Sequence, residues 1–130
     1  TKITLAARKT NNSMEEFIFK KIIQNLKKLK DYKKKRIVVI GLTYKPNVPD
    51  SRNSLAINIY NKLKKIIKNI KAYDPIIETN LAKKNNIHRN FNKISNSEVF
   101  IILVKHKEVV KAIRLAKKNK KVIIDPLSLI

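Results

Sequence analysis

Two short apolar runs constrain the fold of this chain more than any other feature of its sequence. Residues 36–42 read Arg-Ile-Val-Val-Ile-Gly-Leu, and residues 98–104 read Glu-Val-Phe-Ile-Ile-Leu-Val. Neither run has a polar residue at every second position, as a half-exposed strand would. Continuous apolar runs of this length are typical of strands that are buried on both faces of a parallel sheet. The rest of the chain must therefore supply helices for two sheet faces.

The first segment predicts one such helix. Ser13 and Glu16 have the spacing of a capping box, which predicts a helix over residues 13–30. Its apolar stripe includes Phe17, Ile22 and Leu26, and lysines occupy the opposite face. We interpret this stripe as a surface for interdomain or dimer packing rather than as a ligand groove.

Further elements alternate along the chain. The patterns predict strands over residues 70–73 and 122–125 and helices over 54–67, 78–86 and 106–119, while residues 87–97 are ambiguous. A helix followed by β-α-β-α-β-α-β indicates an α/β fold. We therefore expect a Rossmann-like, doubly wound parallel sheet in a three-layer arrangement, preceded by the amphipathic helix.

Composition excludes several classes of site. The 130 residues contain no cysteine, which excludes disulfides, thiolate metal sites and a cysteine nucleophile among them. His88 and His106 are far apart in sequence with no neighbouring His or Cys, so a zinc site is not expected. No apolar run approaches the roughly 20 residues that cross a bilayer. No charged-then-apolar leader follows Thr1, and we expect a cytoplasmic protein without a membrane partner.

The charge of the chain permits two interpretations. A formal net charge of +22, from 31 Lys and Arg against 9 Asp and Glu, suggests a nucleic acid or another polyanion as partner. However, 26 lysines, 21 isoleucines and 15 asparagines supply 62 of the 130 residues, and only 5 residues are arginine. An AT-rich coding sequence produces this joint bias, whereas phosphate and base recognition favours arginine. We interpret the excess as solvated surface and keep nucleic-acid binding as the alternative.

The loop after the first strand is the candidate binding segment. In doubly wound sheets this loop is the usual phosphate contact, and a dinucleotide site there requires several glycines. Gly41 is the only glycine in the chain, so the loop at residues 41–54 is not expected to bind NAD.

The same loop could bind an anion through side chains. Lys45 offers a point charge, Tyr44 a ring face and a hydroxyl, and Arg52 a guanidinium close to the start of the next helix. The alternative is an ordinary surface loop in which Asp50 pairs with Arg52 and Ser54 only caps the helix. The pattern alone leaves both possibilities open.

The loop also resembles a known family, the NAD-dependent UDP-sugar 6-dehydrogenases. Residues 41–54 agree throughout with the family's G-L-T-[FY]-K-x-N-x-x-D-x-R-x-S. Three shorter segments resemble further family motifs in the same order: residues 7–14 its A-R-x-x-N-[DN]-x-M, residues 72–75 its Y-D-P strand end, and residues 104–108 its V-x-H-x-E. Within the family, the chain most resembles the UDP-N-acetylglucosamine and UDP-N-acetylgalactosamine 6-dehydrogenases.

The resemblance implies a domain organisation and an activity. Residues 1–32 would end the central dimerisation region, and residues 33–130 would form the C-terminal UDP-sugar-binding domain. The implied enzyme oxidises a UDP-N-acetylhexosamine to its uronic acid with NAD, for capsule or surface polysaccharide synthesis. The family's catalytic cysteine and NAD-binding glycines belong to other regions, so this stretch would contribute no catalytic residue. Its implied partners are the UDP-sugar, the N-terminal and central domains, and a second subunit.

The resemblance also implies roles for the loop residues. Tyr44 and Lys45 occupy positions where the family contacts the nucleotide sugar, and Arg52 is the third expected substrate-binding residue. Asp50 and Ser54 match the motif and are expected mainly to support the loop.

Three residues outside the loop leave alternatives open. His106 could reach the ligand cleft or could only start a helix and pack locally. Asp74 lies where a Rossmann acid would hold a ribose, but Pro75 follows it directly, so we interpret Asp74 as part of a strand-terminating turn. The family usually has a basic residue shortly after its last strand, where this chain has Leu127 in Asp-Pro-Leu-Ser. This departure keeps a non-catalytic remnant of the dehydrogenase as an alternative function.

Overall fold

The computed structural model describes residues 5–50 and 54–130, with the side chains of residues 12–50 and 54–130. Within these residues, four strands alternate with three α-helices after a first helix, in the order α1 (Leu5–Leu26), β1 (Ile37–Ile40), α2 (Leu55–Lys64), β2 (Ile70–Tyr73), α3 (Thr79–Asn85), β3 (Val99–Ile102), α4 (Val110–Lys118) and β4 (Val122–Ile124). Short 3-10 turns occupy Tyr32–Lys34, Phe91–Lys93 and Lys107–Val109. No helix in the described ranges is long and apolar enough to cross a membrane.

The strands form one parallel sheet in the order β2-β1-β3-β4. Ile37 of β1 pairs with Ile70 of β2 on one side and Val99 of β3 on the other, so the three strands begin at the same level. Their carboxyl ends consequently lie along one edge of the sheet. This arrangement confirms the predicted doubly wound α/β fold.

Two core clusters cover the two faces of the sheet. Successive side chains of a strand point to opposite faces. Val39 and Ile101 belong to the larger cluster, which α1, α2 and α3 complete. Val38 and Phe100 belong to the second cluster, which is completed by α4 and the segment before β3. Because every residue of β1 and β3 is buried, the two continuous apolar runs had to form the central strands.

The predicted start of the first helix is wrong. The helix begins at Leu5, and Ser13, the expected cap, is an exposed residue in its interior. A capping box does not end a helix when the preceding residues can also be helical, and the segment before Ser13 contains Ala, Leu, Arg and Lys, which are strong helix formers. The helix also ends earlier than expected, at Leu26, where Leu29 closes a tighter turn through its N–H to the Leu26 carbonyl (2.9 Å).

The apolar stripe of α1 divides into two parts. Ile22 and Leu26 are fully buried in the core cluster shared with α2 and the sheet, whereas Phe17 is 59% exposed. An ion pair of 2.8 Å between Glu15 and Lys62 also joins α1 to α2. The interpretation of the stripe as a surface for a further domain or subunit is therefore wrong for Ile22 and Leu26, because the chain's own α/β layers bury them.

The ambiguous segment at residues 87–97 contains little regular structure. His88 forms a single parallel bridge to Tyr73, and the N–H of Asp74 donates to the His88 carbonyl (2.9 Å). The 3-10 turn at Phe91–Lys93 follows, with the Asn90 side chain accepting from Asn92 N–H (3.0 Å). Asn-rich sequence satisfies its backbone locally in this way, which is why it shows no helical or strand period.

Candidate functional site

Three loops meet at the carboxyl edge of the sheet. They follow β1, β2 and β3 and comprise residues 41–54, 74–78 and 103–106. In open parallel sheets the crevice outside the carboxyl ends of the strands is where ligands bind. The loop after β1 is the longest of the three and contains the residues expected to bind substrate.

Gly41 allows β1 and β3 to end in contact with each other. Its φ is +87°, and a Cβ built on it would lie 2.1 Å from the carbonyl oxygen of Val104. This glycine therefore serves a close backbone approach inside the protein and does not form a phosphate cradle. Because Gly41 is the single glycine in the sequence, the described part of the loop has no glycine-rich backbone of the kind that cradles a dinucleotide.

Both ends of the loop are anchored in the interior. Thr43 is 1% exposed, and its Oγ1 donates to the carbonyl of Lys45 (3.1 Å). At the other end, the buried Oγ of Ser54 donates to the Leu42 carbonyl (2.7 Å) and accepts from Ile57 N–H (3.3 Å). Ser54 thus caps α2, as predicted, and also ties the end of the loop to its beginning.

Asp74 joins the ends of β1 and β2. Its carboxylate is completely buried, and Oδ2 accepts from Leu42 N–H (2.8 Å). Its Oδ1 accepts from the N–H groups of Ile76 and Ile77 (both 3.0 Å), which confirms the strand-terminating turn. The sequence did not indicate the bond to Leu42, by which the same carboxylate also holds the start of the candidate loop.

His106 connects the end of β3 to the loops that follow β1 and β2. Its imidazole is 0% exposed, and Nε2 lies 2.8 Å from Asp74 Oδ2 and 3.0 Å from Thr43 Oγ1. Its Nδ1 accepts from the N–H of Asn47 (2.9 Å). A side chain with no exposed surface does not touch a ligand directly, but this one does more than pack locally, because it contacts the candidate loop at two points.

The outward-facing residues of the loop lie between these anchors. Tyr44 is 59% exposed and Lys45 is also exposed, while the Tyr44 N–H donates to the carbonyl of Asp50 (2.7 Å). The structure thus places Tyr44, Lys45, Asp50 and Ser54 on the segment between β1 and α2. Arg52, the remaining expected binding residue, lies outside the described residues.

The neighbourhood of the loop is polar but internally satisfied. Within residues 12–50 and 54–130, every buried side-chain nitrogen or oxygen has a hydrogen-bond partner. Burial raises the pKa of the Tyr73 hydroxyl, and the carboxylates of Asp74 and Glu108 raise it further, so this phenol is neutral at physiological pH. The structure thus presents an exposed lysine and tyrosine on a loop whose supporting polar groups are already paired.

Sequence reasoning did not predict the hydrogen-bonded group formed by Thr43, Asn47, Asp74 and His106, named here the edge network. One signal was available, because Asp74 and His106 each follow a strand closely. Carboxyl ends of neighbouring parallel strands lie at one edge, so polar side chains at those positions can meet.

Comparison with known proteins identifies the relatives of this domain. Residues 38–130 match the model of the UDP-glucose/GDP-mannose dehydrogenase family, UDP binding domain. The chain belongs to this family.

Individual relatives agree with this assignment. Protein CapL of Staphylococcus aureus is 35% identical over 83 residues, covering 63% of this chain and 20% of the relative. UDP-N-acetyl-D-mannosamine dehydrogenase of Methanocaldococcus jannaschii is 31% identical over 131 residues, covering 95% and 29%. The solved UDP-D-ManNAc dehydrogenase of Pyrococcus horikoshii superposes with a TM-score of 0.73 at 26% identity, covering 97% and 30%. The chain thus spans less than a third of the length of these relatives.

Proposed function

We propose that this chain is the UDP-binding domain of an NAD-dependent UDP-sugar 6-dehydrogenase, and that the loop after β1 binds the nucleotide. The observation that carries the proposal is the position of Tyr44 and Lys45, exposed side by side at the carboxyl edge of the sheet. Membership of the family supports the ligand class. Arg52 is proposed as a further contact, with Asp50 and Ser54 supporting the loop.

The electrostatics of the loop suit a diphosphate. Lys45 is a strong donor to phosphate oxygens. The N-terminus of α2 begins at Leu55, directly after the loop, and its dipole favours negative charge. The hydrogen bonds of Thr43 and Ser54 hold the two ends of the loop in place, which lowers the ordering cost of binding at these ends.

The parent enzyme would oxidise the C6 alcohol of a UDP-N-acetylhexosamine to a carboxylate. Relatives named UDP-N-acetyl-D-mannosamine dehydrogenase support this sugar class, and the relative CapL supports a role in capsule or surface polysaccharide synthesis. The dehydrogenases of this family use NAD, which other domains of the same enzyme would bind. Those domains would also supply the cysteine that these 130 residues lack. We further propose a cytoplasmic homodimer or larger oligomer.

Calorimetric titration with UDP tests the proposal. We expect Lys45→Ala to weaken UDP binding roughly ten- to hundredfold, because a hydrogen bond to a charged group contributes about 1.5–3 kcal/mol. The matched control is Lys68→Ala, which removes the same charge from an exposed lysine after α2, close to the opposite end of the sheet. Equal effects of both substitutions would show that net charge, not the loop, attracts the nucleotide.

A short DNA duplex in the same experiment tests the alternative of nucleic-acid binding. That alternative predicts strongly salt-dependent binding of any duplex, since each neutralised phosphate releases counterions. Under our proposal, Lys45→Ala changes UDP binding and leaves any duplex binding nearly unaltered. Duplex binding without UDP binding would reverse this conclusion.

A further inference from the structure

One buried imidazole holds the turn that presents Tyr44 and Lys45. Thr43, which precedes this pair, and Asn47, which lies two residues after it, both hydrogen bond to His106. Asn47 has a φ of +63°, and its side-chain Oδ1 accepts from Lys107 N–H (2.9 Å). The turn at residues 43–47 is thus fixed to the segment after β3 through the backbone and the side chain of Asn47.

The hydrogen bonds of His106 determine its tautomer. The backbone N–H of Asn47 can only donate, so Nδ1 must accept and carries no proton. The ring proton is therefore on Nε2, where Asp74 Oδ2 (2.8 Å) and Thr43 Oγ1 (3.0 Å) can accept it. The hydroxyl proton of Thr43 is directed to the Lys45 carbonyl (3.1 Å), which leaves its oxygen free to accept. The Nε2 proton of His106, the hydroxyl proton of Thr43 and the backbone N–H of Asn47 thus each have an acceptor.

We propose that His106 is a positioning residue for nucleotide binding, acting through its unprotonated Nδ1 on the backbone of Asn47. This inference rests on the proposed function. If the turn is already ordered, less conformational entropy is lost when UDP binds to it. The hydrogen bond to Nδ1 therefore increases the affinity for UDP, although His106 does not contact the ligand. The Nε2 bond to Asp74 serves a different purpose, because it satisfies a carboxylate that is completely buried.

Two substitutions separate these functions. In His106→Asn, the side-chain Oδ1 stands close to the position of the imidazole Nδ1 and can accept from Asn47 N–H, but the donor to Asp74 is lost. In His106→Gln, the longer amide can place its NH₂ near the position of Nε2 and donate to Asp74, but it leaves Asn47 N–H without its acceptor. If His106 only stabilises the fold, Gln should replace it better than Asn does. If His106 positions the turn, Asn should replace it better than Gln does.

UDP titration and thermal unfolding of the 130-residue chain provide the two readouts. We expect His106→Asn to bind UDP within about threefold of wild type and His106→Gln to bind at least about tenfold more weakly, since it loses one bond that orders the turn. We expect the order of the melting temperatures to be the opposite. Equal affinities, or weaker UDP binding by His106→Asn, would overturn the inference.

Wild type and Lys45→Ala are titrated alongside, so that the two proposals fail in different ways. Absence of UDP binding by wild type would overturn the proposed function and this inference together. Wild-type binding that depends on Lys45, with the reverse order of the His106 variants, would overturn the inference alone.

A measurement on the wild-type chain needs no variant to fold. Long-range ¹H–¹⁵N correlation of the histidine rings at neutral pH distinguishes the two neutral tautomers from the charged ring. We expect His106 to show a protonated Nε2 and an unprotonated Nδ1. A proton on Nδ1, in either the other tautomer or a charged imidazole paired with Asp74, would contradict the bond to Asn47 and overturn the inference.

Discussion

At the scale of single residues, the site depends on a position where no side chain can be added. The backbone of Gly41 has a φ of +87° and faces the backbone of Val104. That the loop after β1 does not bind a dinucleotide stays a prediction from the absence of other glycines. The role of Gly41 itself could not be predicted from the sequence, because the contact with Val104 exists only once β1 and β3 are paired.

Gly41→Ala is therefore expected to lower the free energy of unfolding by about 3 kcal/mol or more, by combining a disfavoured φ with a backbone clash. The backbone atoms of Val104 cannot move aside as a flexible side chain would, since Leu103 and Val104 both donate to the Ile40 carbonyl. Urea denaturation measures the loss. An alanine variant with unchanged stability would show that the ends of the two strands are further apart than described.

At the scale of elements, the end of α4 contains a residue in an unfavourable conformation. Lys120 has a φ of +55°, in the left-handed region. Lys121 N–H donates to the Ala116 carbonyl (2.9 Å), which is the hydrogen bond that closes a helix when the residue after its end is in this conformation. Glycine adopts this conformation without the steric cost that lysine has. We expect Lys120→Gly to stabilise the chain by about 1 kcal/mol, measured by thermal or urea unfolding.

Lys117→Gly is the matched control for this prediction. It removes the same charge from the exposed face of α4, three residues earlier and inside the helix. There glycine is expected to cost about 1 kcal/mol relative to a good helix former. If both substitutions lower the free energy of unfolding, the Lys120 side chain stabilises the fold by more than its left-handed backbone conformation destabilises it.

At the scale of the whole molecule, the net charge is +22, so the few carboxylates matter most for the electrostatic stability of the fold. Glu98 lies at the amino end of β3, where its Oε1 accepts from Arg36 N–H (3.1 Å) and lies 3.6 Å from the Arg36 guanidinium. The backbone hydrogen bond from Arg36 lowers the pKa of Glu98, and the charges of Arg36, Lys35 and Lys121 lower it further against the opposing effect of desolvation.

This lowered pKa predicts a pH dependence of stability. A carboxylate whose pKa is lower in the folded chain than in the unfolded chain stabilises the fold. This stabilisation is complete at pH values above the pKa in the unfolded chain, near 4.5, and is lost as the pH falls through the pKa in the folded chain. Wild type should therefore exceed Glu98→Gln in stability at neutral pH, and the difference should disappear under acidic conditions. Urea unfolding at several pH values measures it, with Glu16→Gln as a control for net charge. A constant difference would contradict the assigned environment.

Much of the architecture could be predicted from local patterns, whereas of the edge network these patterns indicated at most that Asp74 and His106 lie at one edge of the sheet, and not which atoms they bond. The runs around Val38 and Phe100 are long enough, and apolar enough, to specify central strands without tertiary information. The position of Lys45 on an exposed loop could also be predicted, because Lys45 follows shortly after the first of these apolar runs. The bonds of His106 to Asn47 and Asp74 join residues that are 59 and 32 positions apart in sequence, and such contacts depend on strand order, which single segments do not encode.

The most direct test of the central claim is to follow the backbone amide signals of the ¹⁵N-labelled chain during titration with UDP. This measurement detects weak binding and locates it. We predict saturable changes in residues 42–45 and 47, at the start of α2 and around His106, with little change at Lys34, Lys68 and Lys71 near the opposite edge. Changes spread over lysines at both edges, or none at saturating UDP, would contradict the assignment of this loop as the nucleotide site.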